Sequence, residues 1–212
     1  MVVSMLASGF VGMAQENMTA VENVNALFSN VNAKVEKVTS IESDLTMTKH
    51  KNLLKRDMVS KGKFYYSKPD KVCMDFEKTR DSKYIINGEK MLMSVTGAKS
   101  VRNISSNPMM QEMYKVVSSS MTGNLQALQG DYEMEYLQNA THYMVKITPK
   151  NAVKKLIERI ELMLLKSDYS VESMKIVEPL KNKKQDADFT QYSFENKKLN
   201  VNIPASMFDI KE

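Results

Sequence analysis

The sequence has few of the residues that mark enzymes and metal proteins. It contains 212 residues, with one cysteine, two histidines and no tryptophan. Cys73 alone can form neither an intramolecular disulfide nor a thiolate metal site, and His50 and His142 lie too far apart in sequence to form a short metal-ligand motif. No nucleophile elbow, phosphate loop or dinucleotide-binding glycine motif is present. We therefore expect no catalytic residue, no metal site and no cofactor.

Glycine and proline are also scarce, with seven and five residues, and no stretch of them marks a linker. The chain is 42% hydrophobic and 26% charged, which is typical of a globular protein and disfavours a disordered or fibrous one. The net charge of +5 comes from dispersed lysines, without a concentrated basic stripe or stacking aromatics. We expect one domain over residues 15–212, a monomer, and no nucleic-acid partner.

The longest apolar run is at the N-terminus. Residues 1–14 carry no charge and end in small residues, with Gly12 and Ala14 placed as at a signal-peptide cleavage site. The run is too short to span a bilayer and lacks the usual positive start. We interpret residues 1–14 as a truncated signal peptide and predict an exported protein.

The apolar spacing changes from a helical to a strand period early in the chain. Apolar residues three and four positions apart predict a helix from Thr19 to Val38, capped by Thr19 with Glu22 three residues later. Period-two alternation then predicts two blocks of strands, and Asn87-Gly88 predicts a tight hairpin in the first block. The predicted strands are 41–47, 58–67, 72–76, 84–86, 91–95, 132–137, 143–148, 157–166, 171–177, 189–194 and 199–203. The pattern predicts a mainly β fold with helices, built on one open antiparallel sheet of about ten strands.

A second helix is predicted between the two blocks, over residues 107–122. Asn107 is placed as its cap and Pro108 as its first residue. Methionine is abundant in the chain, with 18 residues, and several of them fall on one face of this helix. The helix either packs as an ordinary core element or covers one face of the sheet and adapts to a ligand beneath it.

Several segments resemble the LolA-like outer-membrane lipoprotein carriers. The similarity covers roughly Ala20 to Ile210 and is most specific in GKFYYSKPDKVCMDF at Gly62–Phe76 and IINGEKMLM at Ile85–Met93. The resemblance implies an open half-barrel sheet, with an N-terminal helix and a helical lid over an apolar cavity.

The resemblance also assigns roles to residues by position. Lys68 matches a basic residue that latches the lid. The residues implied to face the cavity lie on the predicted strands and are Leu45, Met47, Phe64, Tyr66, Val72, Met74, Phe76, Met91 and Met93. Those implied to form the lid are Met109, Met110, Met113, Tyr114, Val117 and Met121.

The function implied is that of a periplasmic carrier in a Gram-negative-type envelope, which binds the acyl chains of lipoproteins. Its implied partners are an inner-membrane release transporter and an outer-membrane acceptor. Three other hypotheses about the function remain consistent with the sequence. They are a related half-barrel that senses or transports another lipid, an adaptor that docks a partner through the Met-rich helix without a cavity, and a lipid-modifying enzyme.

Overall fold

One antiparallel sheet organises the chain. The structure is a computed structural model that describes residues 17–76, 81–122, 124–180 and 186–211, so the predicted signal peptide at 1–14 lies outside the described residues. The described residues form twelve strands in a single sheet. They are β1 (Thr19–Ala20), β2 (Ser40–His50), β3 (Met58–Ser67), β4 (Lys71–Asp75), β5 (Ser82–Asn87), β6 (Lys90–Val95), β7 (Ala98–Asn103), β8 (Tyr132–Gln138), β9 (His142–Pro149), β10 (Arg159–Leu165), β11 (Val171–Val177) and β12 (Phe189–Leu199).

The sheet consists of two meanders joined in its middle. Strands β2 to β7 follow one another in one half, and β8 to β12 do so in the other. The final strand β12 returns to pair with β2, and β1 adds to the outer side of β8. Because β1 and β7 stand at the two ends of the strand order, the sheet is open. The predicted open antiparallel architecture is confirmed.

Two strands were not predicted, and one predicted strand is wrong. β7 has no buried residue to give an apolar alternation, and β1 has only two residues. The predicted strand 199–203 is absent because β12 ends at Leu199 and Asn200 takes a left-handed conformation with φ of 56°. Its side-chain carbonyl accepts hydrogen bonds from the backbone N–H of Thr39 at 2.8 Å and from the Thr39 hydroxyl at 3.1 Å.

Both predicted α-helices are present, and the first is shorter than predicted at both ends. Helix α1 spans Val24–Val35, and its cap is Asn23, whose Oδ1 accepts from the backbone N–H of Ala26 at 2.9 Å. Thr19, the predicted cap, instead lies in β1 and pairs with Gln138 of β8, so the helix begins later than predicted. The helix also ends at Val35, before the predicted end at Val38. Helix α2 spans Pro108–Thr122, and Asn107 Oδ1 accepts from the Met110 N–H at 3.2 Å, as the predicted cap requires.

The main apolar core lies between one face of the sheet and the two helices. We call this the inner face. The strand registers define it, since one row of neighbouring residues crosses β2 to β6 at Ser43, Phe64, Met74, Tyr84 and Met93. From α1, Leu27, Phe28 and Val31 are buried in this core, and Val116 is buried there from α2.

A smaller cluster covers part of the opposite, outer face. Cys73, Ile85 and Leu92 of β4–β6 pack with Phe208 from the C-terminal segment. Asn87 Nδ2 also donates to the Phe208 carbonyl at 3.2 Å. The end of the described chain therefore seals the outer face of β4–β6, and the helices seal the inner face.

Candidate ligand-binding site

The residues predicted to face a cavity all belong to the inner-face core. Tyr66 stands between Ile41 and Val72 in the registers, and Phe64 stands between Ser43 and Met74. Every predicted residue is buried except Met93, which is half-buried and packs against the same core. Burial raises the pKa of Tyr66 to about 12, so its hydroxyl is neutral at any physiological pH. Their direct contact with a ligand remains a prediction.

Helix α2 lies over this face, as a lid would. Met109, Met110, Tyr114 and Val117 are half-buried and pack against the inner-face core. The side chains of Met113 and Met121 lie outside what the structure describes. The prediction missed Val116, which is fully buried and is the deepest described contact of the helix. Its position seven residues after Met109 is a helical spacing that could have revealed it.

Helix α1 is a second cover that the sequence analysis did not treat as part of the lid. Its Phe28 is 3% exposed and meets Tyr136 of β8 edge to face, with ring centroids 5.4 Å apart. The inner face is therefore enclosed by α1 on the β8 side and by α2, whose Tyr114 lies near the β3–β4 turn at Asp70.

A cavity of about 170 Å³ remains under the covers, near the end of α1. Its apolar lining comes from α1, β2, β3, the β10–β11 turn, β11 and β12, and includes Val35, Ile41, Phe64, Tyr169, Val171 and Phe194. An apolar cavity of roughly 150 Å³ can hold a benzene-sized molecule, whereas pockets for larger ligands measure roughly 300–1,000 Å³. In this arrangement the cavity has room for a short segment of an acyl chain.

Six polar residues also line the cavity, namely Lys34, Ser43, Ser120, Asp168, Ser170 and Lys197. Ser43 is 1% exposed, and its hydroxyl has no hydrogen-bond partner among the described residues. Lys197 donates from Nζ to the Val171 carbonyl at 3.1 Å, and burial lowers the pKa of its ammonium group. A buried hydroxyl without a partner is costly, so a ligand oxygen bonded to Ser43 would remove that cost.

Lys68, the predicted lid latch, contacts the first helix. Its ammonium donates to the carbonyls of Val35 and Glu36 at 3.1 and 2.9 Å, where α1 ends. The last carbonyls of a helix lack partners within it and carry partial negative charge, so a cation is favourable there. The hydrogen bonds of Lys68 therefore hold the end of α1, and its role as a latch for the Met-rich α2 remains a prediction.

Lys68→Met is expected to lower the free energy of unfolding by about 1 kcal/mol, because two helix-end carbonyls lose a charged donor. The measurement is urea denaturation followed by far-UV circular dichroism. Lys68→Arg keeps a charged donor and is expected to lose less. Lys71→Met, at the start of β4, is the matched control, and an equal loss in both methionine variants would contradict the assignment.

Within the described ranges, no group of three or more His, Cys, Asp or Glu residues could hold a metal ion. Neither described α-helix has the length and apolar character needed to cross a bilayer. The histidines belong to isolated pairs, since His50 Nδ1 lies 2.7 Å from Asp57 and His142 Nε2 lies 3.0 Å from Glu172. What distinguishes the site is its apolar cavity.

Comparison with solved structures gives the same fold at low sequence identity. A domain from Vibrio parahaemolyticus, described as an outer membrane lipoprotein-sorting protein, is 13% identical with a TM-score of 0.50, covering 87% of this chain and 95% of its own. A DUF1329 family protein from Desulfovibrio piger is 15% identical with a TM-score of 0.49, and the coverages are 89% and 98%. A LolA superfamily protein from Nitrosomonas europaea is 10% identical with a TM-score of 0.45, and the coverages are 90% and 99%.

No curated protein gives a significant match to the sequence. A family model does match, and it covers residues 36–211, from the end of α1 through all of the strands that enclose the cavity to the segment that seals the outer face. This chain belongs to the family of the outer membrane lipoprotein carrier protein LolA.

Proposed function

We propose that this protein is a periplasmic carrier that binds the acyl chains of lipoproteins and shuttles them from the inner to the outer membrane. The observation that carries the proposal is the cavity between α1, α2 and the inner face, apolar in most of its lining. Family membership supports the cargo and the route. The same route requires an inner-membrane release transporter and an outer-membrane acceptor as partners, and the role requires no chemistry on the cargo.

The physical need for such a carrier follows from the cost of hydrating acyl chains. Each methylene kept out of water is worth about 0.8 kcal/mol, so an acylated anchor cannot cross an aqueous compartment unprotected. The inner face offers the apolar surface that replaces water, and its rows of Phe, Met and Ile side chains continue across the sheet under both helices.

Loading must involve movement of the covers, because the cavity is smaller than a complete acyl chain needs. Helix α2 is suited to this, since four of its apolar side chains are only half-buried and, among its described side chains, Val116 is the one apolar residue that is fully buried. Flexible methionine side chains can repack against cargo of different length. Displacing α2 would join the cavity to the rest of the inner face and lengthen it.

Ser43→Leu is the sharpest test of the cavity, because the larger side chain fills it from within the β2 strand. We expect its affinity for a fluorescent diacylated peptide to fall at least about tenfold, the effect of excluding roughly two methylenes. Ser43→Ala is the matched control, since it deletes the hydroxyl without filling the space. Its affinity is expected to stay within about threefold of the parent protein, the range of one weak hydrogen bond.

The measurement is fluorescence anisotropy, with native mass spectrometry to count bound molecules. Equal affinity in the parent and Ser43→Leu proteins would show that the acyl chain binds elsewhere. A specific observation favours a second candidate, a carrier of a free anionic single-chain lipid, because two lysines line the cavity, Lys34 and Lys197, against the single carboxylate of Asp168. Lipid extraction from the purified protein distinguishes the two cargoes.

A further inference from the structure

The exposed leucines of this protein are not scattered over its surface. In the described part of the chain, Leu199 is the one exposed large apolar residue at the end of the sheet where α1 meets β2. The others lie at the opposite end, where β2, β9 and β11 finish. They are Leu53, Leu54, Met58, Val59, Leu156 and Leu180, and we call this set the leucine edge.

Three neighbouring loops supply the leucine edge. The β2–β3 loop carries Leu53 and Leu54, the β9–β10 loop carries Leu156, and the β11–β12 loop carries Leu180. In the sheet these strands run in the order β9, β10, β11, β12, β2, β3, so successive loops are two strands apart. With a strand spacing of about 4.8 Å, the three loops fall within roughly 20 Å along one edge.

The leucines are presented on an anchored base. Lys51 Nζ lies 2.5 Å from Glu178 Oε1 and 3.4 Å from Asp188 Oδ2, and this ties the β2–β3 loop to the β11–β12 loop. Burial disfavours the charged form of Lys51, but hydrogen bonds and charge attraction from the two carboxylates outweigh burial and raise the pKa of its ammonium group. Asn52 also donates its backbone N–H to Asp188 at 2.9 Å. Leu53, the next residue, is nevertheless 94% exposed.

The charge around these leucines is basic where it faces outward. Glu178 and Asp188 are only partly exposed and lie at the base beside Lys51, and Glu158 is also partly buried. The exposed acids of the described loop residues are Asp57 and Asp186. Against these two stand five basic residues, all exposed, namely Lys55, Arg56, Lys150, Lys154 and Lys155.

We propose that the leucine edge docks this protein onto the surface of an anionic lipid bilayer. Exposed leucines gain free energy by entering the interfacial region, and flanking Lys and Arg residues are attracted to anionic headgroups. A protein partner needs a shaped complementary surface, whereas separate leucines at three loop tips suit a fluid surface. This site is remote from the cavity, and the inference does not depend on the cargo.

The absence of tryptophan allows a direct test. Leu53→Trp creates a sole tryptophan reporter at the leucine edge, and Lys90→Trp creates one at the start of β6, at the opposite end of the sheet. On addition of vesicles of phosphatidylcholine and phosphatidylglycerol, we expect the emission of Leu53→Trp to shift to the blue and to be quenched by brominated lipid. The Lys90→Trp emission is expected not to change. An unshifted Leu53→Trp, or equal shifts in both, would overturn the proposal.

Vesicle flotation separates the apolar from the basic contribution. Leu53→Asn/Leu54→Asn is expected to bind the same vesicles at least about tenfold more weakly, whereas Leu53→Phe/Leu54→Phe keeps binding because it keeps the apolar surface. Lys55→Gln/Arg56→Gln should lose more binding than Lys37→Gln/Lys90→Gln, which removes the same charge at the opposite end. Equal losses in the two charge variants would indicate only a non-specific attraction and would contradict docking by this edge.

Measuring the binding of the acylated peptide in solution without vesicles distinguishes failure of the docking proposal from failure of the proposed carrier function. The Leu53→Asn/Leu54→Asn protein should bind the peptide like the parent protein. A protein that docks on vesicles but binds no peptide would refute the carrier and leave the leucine edge intact. The converse result would refute only the leucine edge.

Discussion

Gly62→Ala is expected to lower the free energy of unfolding by about 2–3 kcal/mol, the cost of overpacking a site that cannot relax freely. An ideal Cβ at Gly62 would lie 2.1 Å from the Asp75 carbonyl oxygen and 2.9 Å from its carbon. Both are backbone atoms of the neighbouring strand β4, so relief requires β3 and β4 to separate. The same Cβ would lie 2.9 Å from the ring of Phe76, which is buried in the inner-face core.

Gly130→Ala is the matched control for this substitution. No heavy atom lies within 4 Å of the corresponding Cβ at Gly130. Its stability is expected to be unchanged or raised by about 0.4–1 kcal/mol, because alanine restricts the unfolded chain. Urea denaturation followed by far-UV circular dichroism measures both variants. Coincident midpoints for the two alanine variants would show that β3 and β4 are not in close contact at Gly62.

Phe28→Ala is the second substitution with a large expected effect, a loss of about 3–4 kcal/mol of unfolding free energy. The side chain is 3% exposed and packs edge to face on Tyr136. Its removal leaves a void between α1 and β8 as well as losing the transfer free energy of the ring. Because α1 is one of the two covers, the variant should also release a bound acylated peptide faster than the parent protein.

Leu53→Ala is the control, since it truncates a side chain that is 94% exposed. Its stability should change by no more than about 0.5 kcal/mol, as for other surface substitutions. Denaturation curves and stopped-flow displacement of the labelled peptide provide the two readouts. A Phe28→Ala protein as stable as Leu53→Ala would place α1 away from the sheet and remove it as a cover.

The strands of the first block could be read from the sequence because each has one buried face. In β2, Leu45 and Met47 alternate with less buried polar residues, and the period-two signal follows directly. The hairpin was also predicted, but its turn is one residue further on. Asn87 pairs with Lys90, so the two turn residues are Gly88, with φ of 60°, and Glu89. A local signal located the turn, while the cross-strand pairing set its register.

The cavity could be predicted only in part. Phe64 belongs to the block whose alternation is clear, but Tyr169, Phe194 and Lys197 come from the second block. They meet the first block only because β12 pairs with β2, a contact that no local pattern encodes. Ser43 left a signal that was overlooked, since a serine stands at a position of β2 where the alternation requires an apolar residue.

The pairing of β12 with β2 has a consequence for how the chain folds. Leu45 near the start of the described chain pairs with Phe194 near its end. The central pair of strands can therefore form only after nearly all of the described chain has been synthesised. Contacts this distant in sequence are associated with slow folding. Until Phe189–Leu199 is available, β2 is an unpaired strand edge beside exposed apolar side chains, the arrangement most prone to wrong pairing between molecules. A chain truncated before Phe189 should therefore aggregate rather than form a smaller, stable sheet.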